Sequence, residues 1–239
     1  MRKSDQMNPL NKKLFFACLS LIFGIAFLII ASFLIEPRVI EITPLPQPIA
    51  PVEKEEITII LVGDIMLNRG VEDMINEHGS EDFKFPFLRT VDYLNKADIV
   101  FGNLESVISD KGSKIGSTYS FRADPKAIEG LTSASFDVIS VANNHIFDYG
   151  RAAMEDSFSR LKEAGIAYVG GGFNEEEAYT PVIKEINGTK IAFLAYTNLG
   201  SPNWIAKEEN SGIAWLKKDR IEGDQSKGSN FTVLFLEAT

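Results

Sequence analysis

An uncharged apolar run near the N-terminus constrains this chain more than any other feature of its sequence. Residues 14–35 read LFFACLSLIFGIAFLIIASFLI and contain no acidic or basic side chain. As an α-helix, with a rise of 1.5 Å per residue, the run would extend roughly 33 Å, which matches the hydrocarbon core of a bilayer. It is longer than the apolar region of a secretory signal peptide, and no small-residue cleavage site follows it. We therefore predict an uncleaved transmembrane anchor, with a cleaved signal peptide as the alternative.

Charge is distributed unevenly along the chain. The head, residues 1–13, has four basic residues and one acidic residue, a net charge of +3. The whole chain of 239 residues carries −9, so the residues after the head carry −12. By the positive-inside rule, this pattern predicts a cytoplasmic N-terminus and a main domain on the extracellular side of the cell membrane. The acidic balance also argues against nucleic-acid binding, which depends on clustered lysine and arginine.

A proline-rich segment separates the apolar run from the rest of the chain. Residues 36–56 contain five of the ten prolines. This composition favours extended polyproline II geometry and predicts a semi-rigid spacer, with a disordered tail as the alternative. The domain that follows, residues 57–239, contains no cysteine, because the single cysteine of the chain is Cys18. Neither an intrachain disulfide nor an all-thiolate metal site is therefore possible.

The main domain alternates short β-branched runs with helical stretches, which predicts an α/β fold. The predicted strands are residues 57–62, 98–101, 137–142, 166–169, 181–186, 190–196 and 231–236. Asn187-Gly188 lies between two of these strands and predicts an antiparallel hairpin.

Two helices are predicted from caps and periodicity. Asp124 followed by Pro125 is typical of an N-cap with proline in the first helical position. Met154, Phe158 and Leu161 have the spacing of one helix face, and Gly165 fits the end of that helix.

Polar side chains follow three successive predicted strands of the main domain. These residues are Asp64, Asn103, Glu105, Asn143, Asn144, His145 and Asp148. In open α/β sheets, ligands bind beyond the carboxyl ends of the strands, so we expect these groups to meet at one edge. Carboxylate, amide oxygen and imidazole suit a divalent ion such as Mn, Fe, Zn or Mg. Such an ion can generate hydroxide from water or polarise a phosphoryl or carbonyl oxygen.

Each of these residues also has a structural alternative. Asp64 is a candidate turn cap, and Asn103 and Asn143 are candidates to satisfy loop backbone groups. His145 alone is more typical of a structural histidine, and Asp148 is a candidate N-cap for the helix that follows. The prediction of a site therefore rests on their occurrence at three consecutive strand ends.

Four segments, in order, resemble the CapA family of poly-γ-glutamate capsule biosynthesis proteins. They read VGDIMLNRG, ADIVFGNLES, FRADP and SVANNHIFDYG, and the resemblance covers roughly residues 57–236. The family is related to the calcineurin-like metallophosphoesterases. The resemblance therefore implies a metallophosphatase-like αββα sandwich, in which two sheets pack face to face with helices outside.

The resemblance also implies roles for the strand-end residues. The implied metal ligands are Asp64, Asn103, Glu105 and Asn144. His145 would be the general acid or a phosphate-contacting residue, and Asp148 would orient it. Met66 stands where metallophosphoesterases usually have a histidine, a difference that CapA-like proteins share.

The resemblance implies an incomplete C-terminal part. The family continues past its final strand with a His-Trp-Gly-like segment and a Gly-His-x-His segment, whereas this chain ends FTVLFLEAT. We therefore expect a C-terminally truncated member with an incomplete sandwich.

The expected function is membrane-anchored capsule or cell-envelope polymer biosynthesis, with divalent-metal-dependent hydrolysis as its candidate chemistry. The expected partners are the membrane, an anionic polymer and the machinery that synthesises it. The alternatives are a non-catalytic anchored component of polymer assembly or export, and an inactive truncated product.

Overall fold

The computed structural model of the protein describes residues 8–34, 56–115, 118–217 and 232–237. The chain divides into two compact units, Met1–Val52 and Glu53–Thr239. The predicted spacer, residues 36–56, lies outside the described residues except for its last position.

The first unit contains helix α1, Pro9–Leu34. Asn8 precedes it, and its side chain accepts a hydrogen bond from the backbone N–H of Leu10 at 3.2 Å. Within the apolar run, the hydroxyls of Ser20 and Ser32 donate to backbone carbonyls of the preceding turn at 2.9 and 2.7 Å. The helix therefore satisfies these polar groups with its own backbone carbonyls.

Helix α1 begins inside the predicted basic head rather than at the start of the apolar run. Residues 9–32 are long and apolar enough to cross a membrane by length and composition. A signal sequence near the N-terminus would meet the same criterion, so both interpretations of the run agree with this helix.

The second unit is a mixed α/β fold. In chain order its strands are β1 (Ile59–Ile65), β2 (Ile99–Leu104), β3 (Val107–Ile108), β4 (Arg122–Ala123), β5 (Val138–Ser140), β6 (Ala167–Val169), β7 (Gly171–Gly172), β8 (Val182–Ile186), β9 (Thr189–Tyr196), β10 (Gly212–Ile213) and β11 (Thr232–Glu237). Its α-helices are α2 (Gly70–His78), α3 (Val91–Leu94), α4 (Ala127–Ser133), α5 (Arg151–Glu163) and α6 (Glu175–Tyr179). Two short 3₁₀ helices cover Phe85–Phe87 and Pro202–Trp204.

Two sheets dominate this unit. The first has four parallel strands in the order β1-β2-β5-β6. The second has the order β11-β9-β8, in which β11 is parallel and β8 antiparallel to β9. Two-stranded pairs, β3 with β4 and β7 with β10, complete the described strands. All seven predicted strands are present, with ends shifted by up to three residues.

Alternation of side chains along the strands builds a core on each face of the first sheet. On β2, Ile99 and Phe101 pack toward β9 of the second sheet, whereas Val100 faces the helical side. The rings of Phe101 and Phe193 stack between the sheets with centroids 5.7 Å apart and planes 7° apart. Ile139 of β5 lies in the cluster on the helical side. The two sheets therefore pack face to face through an apolar layer.

The predicted hairpin and the face of helix α5 are confirmed. Asn187 and Gly188 join β8 to β9 with φ angles of 50° and 71°, the positive values that a type I′ turn requires. The side chains of Met154, Phe158 and Leu161 are fully buried.

The start of helix α4 differs by two residues from the prediction. The helix begins at Ala127 rather than at Pro125. Asp124 nevertheless closes the turn before it, because its carboxylate accepts a hydrogen bond from the N–H of Lys126 at 2.8 Å.

The layer between the sheets generates a stability prediction. We expect Phe193→Ala to lower the free energy of unfolding by about 3–5 kcal/mol, because it leaves a cavity opposite Phe101. The matched control is Leu88→Ala, whose side chain is 62% exposed and which should change stability by about 0.5 kcal/mol or less. Denaturant unfolding followed by fluorescence of Trp204 and Trp215 measures both. Equal effects of the two substitutions would contradict this packing.

Candidate functional site

Asp64 lies inside β1 rather than after its end. The pairing of β1 with β2 shifts register between Leu61 and Asp64 and then resumes, with Asp64 opposite Asn103 and Ile65 opposite Leu104. The prediction that this strand ends at residue 62 is therefore wrong, because a bulge around Gly63 lets the ladder continue. The bulge places the Asp64 and Asn103 side chains on adjacent strands at the same level.

The Asn103 amide links two carboxylates. Its Nδ2 donates to Oδ1 of Asp64 at 2.8 Å and to Oε2 of Glu105 at 2.9 Å. Its Oδ1 accepts a hydrogen bond from Nδ2 of Asn143 at 3.1 Å. Groups from the ends of β1, β2 and β5 are thereby joined in one network, which lies at the carboxyl edge of the parallel sheet.

Asn143, rather than Asn144, makes the contacts of the third strand end. Its Nδ2 also donates to the carbonyl of Leu104 at 2.9 Å, and its Oδ1 accepts from the N–H groups of His145 and Ile146, both at 3.0 Å. Asn143 therefore satisfies loop backbone groups and links the loop to β2. No described hydrogen bond joins Asn144 to this network.

His145 is held by Asp148. Its Nδ1 lies 2.7 Å from Oδ2 of Asp148, and the same oxygen accepts the N–H of Phe121 at 2.8 Å. The Phe121 ring packs on the imidazole with centroids 4.1 Å apart. The N-cap alternative for Asp148 is wrong, because Gly150 is the N-cap of α5 and its φ of 84° is one that glycine adopts readily.

Glu105 faces the other nitrogen of His145. Its Oε1 lies 3.5 Å from Nε2 of His145. Burial raises the pKa of the Glu105 carboxyl above its ordinary value, and the neighbouring Asp64 carboxylate raises it further, while His145 and the Asn103 amide oppose the rise. Five of the predicted residues therefore form a continuous series of contacts: Asp64, Asn103, Glu105, His145 and Asp148.

The buried, hydrogen-bonded pair Ser106 and Asn68 holds the loop that carries Glu105. The hydroxyl of Ser106 donates to Oδ1 of Asn68 at 2.7 Å and accepts from the N–H of Leu67 at 3.3 Å. The N–H of Glu105 donates to the carbonyl of Ile65 at 3.0 Å. These hydrogen bonds join the loop after β2 to the loop after β1, and they fix the position of the Glu105 backbone.

Two further residues border the site, Phe121 and Arg69, and neither was predicted from the sequence to have a role in it. Phe121 lies in the FRADP segment, and Arg69 ends the VGDIMLNR stretch. The guanidinium carbon of Arg69 lies 5.3 Å from the centroid of the Phe121 ring. Both residues belong to segments that carry the family resemblance, which was the signal available in the sequence.

The donor types of the network fit a hard divalent cation. Asp64 and Glu105 both direct an oxygen at a single atom, Nδ2 of Asn103, so a positive charge is favoured between them. Within the described ranges, no group of three or more His, Cys, Asp or Glu side chains is arranged to hold a metal ion. The described residues therefore contain a pair of carboxylates, Asp64 and Glu105, and no complete set of metal ligands.

Sequence comparison assigns the chain to a protein family. The family described as "Bacterial capsule synthesis protein PGA_cap" matches residues 58–230, which include the whole network. The chain belongs to this family. Among its relatives, the capsule biosynthesis protein CapA of Bacillus anthracis is 30% identical over 206 residues, covering 84% of this chain and 49% of that protein.

Two more distant relatives have related descriptions. The PGA biosynthesis protein CapA of Bacillus subtilis is 26% identical over 155 residues, covering 64% of this chain and 40% of the relative. A "probable polyglutamine synthesis accessory protein" of Mycobacterium tuberculosis is 25% identical over 203 residues, covering 70% of this chain and 53% of the relative. The chain thus spans about half the length of these curated relatives.

The raised pKa of Glu105 predicts a pH-dependent stability difference. A raised pKa in the folded state means that folding favours the protonated carboxyl, so wild-type stability falls as the pH rises from the ordinary value of 4.5 through the folded-state pKa. We expect Glu105→Gln to lack this fall, so its stability relative to wild type should increase across that window. Urea unfolding at a series of pH values measures the difference.

The control for this experiment is Glu163→Gln, because Glu163 is exposed at the end of α5. Its stability is measured over the same pH range, and the effect of Glu105→Gln is compared with that of this exposed substitution. A pH-independent difference for Glu105→Gln would contradict the assignment of a buried, acid-flanked carboxyl.

Proposed function

We propose that this protein is a membrane-anchored accessory component in the synthesis of a capsule or cell-envelope polymer of the poly-γ-glutamate type. Membership of the PGA_cap family supports this proposal, as do the descriptions of the relatives. Helix α1 supports the anchor, and the basic residues before it favour a main domain on the extracellular side.

The observation that carries the proposal is the convergence of two carboxylates on the Asn103 amide. Asp64 and Glu105 form an anionic pair at the carboxyl edge of the parallel sheet. A polyglutamate chain is itself anionic, and a protein of net charge −9 repels it. A divalent cation held by Asp64 and Glu105 would neutralise the two carboxylates, and its open coordination positions would bridge the protein to carboxylates of the polymer.

This role predicts polymer binding that depends on divalent cations. We expect the full-length protein in detergent to retain poly-γ-glutamate in a pull-down with Mn²⁺ or Mg²⁺, and to lose it with EDTA. The double variant Asp64→Asn/Glu105→Gln should lose the cation-dependent part. Asp92→Asn/Glu163→Gln makes the same charge change at exposed positions and should bind as wild type does. Binding that is unaffected by EDTA would contradict cation bridging.

A second candidate function, metal-dependent hydrolysis, is favoured by the His145–Asp148 pair. The proposal includes a metallophosphatase-like sandwich, which the face-to-face packing of the two sheets supports. Asp64 and Glu105 would hold the ion. By family resemblance the side-chain oxygens of Asn103 and Asn144 would be further ligands, which requires the Asn103 amide to turn its oxygen, in place of Nδ2, toward the two carboxylates. A bound divalent ion would supply an activated water or polarise a phosphoryl or carbonyl oxygen.

In such a hydrolysis, His145 would hold or transfer the proton. Asp148 accepts a hydrogen bond from Nδ1 of His145, which leaves Nε2 facing Glu105 and the open edge of the sheet. The Phe121 N–H holds the same Asp148 oxygen, and the Phe121 ring restricts the imidazole. His145 is therefore oriented to hold or transfer a proton at Nε2, as a general acid or base must.

The hydrolytic candidate predicts a defined effect of removing that proton carrier. With Mn²⁺, Zn²⁺, Fe²⁺ or Mg²⁺ supplied, we expect turnover of bis(p-nitrophenyl) phosphate or of a γ-glutamyl p-nitroanilide. His145→Asn should lower the rate roughly 10²- to 10⁴-fold while leaving metal content unchanged. The control is His78→Asn, which alters an exposed histidine at the end of α2. Absence of turnover with every metal would reject hydrolysis and leave the accessory role in place.

A further inference from the structure

Arg69 places a cation beside a site that is otherwise acidic. Its guanidinium carbon lies 5.3 Å from the Phe121 ring centroid and 6.0 Å from that of Tyr119, so the charge rests against two aromatic rings. The Phe121 ring in turn packs on the imidazole of His145, with centroids 4.1 Å apart. The Phe121 ring therefore contacts both the guanidinium of Arg69 and the imidazole of His145.

The backbone of Arg69 is fixed on both sides. Its φ of 58° lies in the left-handed region, which non-glycine residues rarely adopt. On one side, buried Asn68 accepts the Ser106 hydroxyl at 2.7 Å. On the other side, helix α2 begins, and the carbonyl of Arg69 accepts the N–H of Asp73 at 2.9 Å. The contacts of Asn68 and of helix α2 therefore fix the backbone position from which the Arg69 side chain extends.

Arg69 differs from two other arginines that also stack on aromatic rings. Arg122 lies 4.2 Å from the Tyr149 ring centroid and donates to a backbone carbonyl at 3.2 Å. Arg151 lies 5.3 Å from the Phe147 ring centroid and donates to the Ser211 hydroxyl at 3.0 Å. For Arg69, the described part of the chain shows neither a carboxylate within ion-pair distance nor a hydrogen-bond acceptor for the guanidinium. Its planar set of N–H donors therefore contacts two aromatic rings and no oxygen of the described residues.

We propose that Arg69 binds a carboxylate of the anionic polymer and so positions the polymer chain beside His145 and the acidic pair. This inference rests on the proposed role in poly-γ-glutamate synthesis. A guanidinium recognises a carboxylate through two parallel N–H···O bonds, and stacking on Phe121 and Tyr119 limits the orientations of its plane. The polymer would then meet two separate positive groups, the guanidinium of Arg69 and a cation at Asp64 and Glu105.

The test is polymer affinity of the full-length protein in detergent, with Mn²⁺ present. Binding of fluorescein-labelled poly-γ-glutamate is followed by anisotropy for wild type, Arg69→Gln, Arg69→Lys and Arg89→Gln. Arg89 is an exposed arginine in the loop after the first 3₁₀ helix, so it serves as the charge-matched control. We expect Arg69→Gln to weaken binding about tenfold, Arg69→Lys to be intermediate because lysine keeps the charge without the fork, and Arg89→Gln to match wild type.

Each outcome of this experiment decides the inference. If Arg69→Gln binds the polymer as tightly as Arg89→Gln does, the inference is overturned while the proposed function stands. If wild type fails to bind the polymer with every divalent ion, the proposed function is overturned and the inference falls with it. Tryptophan fluorescence during unfolding checks that Arg69→Gln is folded. If it is not, Arg69→Lys decides: affinity equal to wild type overturns carboxylate recognition by the fork, and weaker affinity supports it.

Discussion

The amide of Asn103 is the contact on which the geometry of the site depends. Its nitrogen lies between the carboxylates of Asp64 and Glu105, and its oxygen accepts the Asn143 amide. Without this donor, two carboxylates would face each other at the edge of the sheet, and their repulsion would separate the ends of β1 and β2. One neutral side chain thus holds an anionic pair together and marks where a cation is electrostatically favoured.

The two-sheet core gives this network a fixed base. Alternate residues of β2 pack toward the second sheet and toward the helices, so β2 is covered on both faces. Because both faces are used for burial, the polar groups of the candidate site lie at its end. Asp64, on edge strand β1, is exposed, and Glu105, after β2, is half-buried. The packed core thus fixes the positions of these side chains, and the edge of the sheet leaves them accessible to solvent.

The protein and its proposed polymer partner are both anionic, so contact between them requires a positive group on the protein surface. A net charge of −9 disfavours contact with an anionic polymer everywhere except where a positive group is presented. The proposed cation between Asp64 and Glu105 is one such group, and Arg69, stacked on aromatic rings, is the other. Close positions of the two would restrict polymer contact to the neighbourhood of His145.

The sequence by itself determined the apolar helix, the strands, the hairpin at Asn187-Gly188 and the buried face of α5, because each depends on local periodicity or turn chemistry. It also predicted that Asp64, Asn103 and Glu105 meet, because carboxyl ends of neighbouring parallel strands share one edge.

Only the tertiary structure decided the bulge that keeps Asp64 inside β1, the use of Asn143 rather than Asn144, and the contact of Arg69 with Phe121. These depend on register and on side-chain direction between segments distant in sequence, which no local pattern encodes.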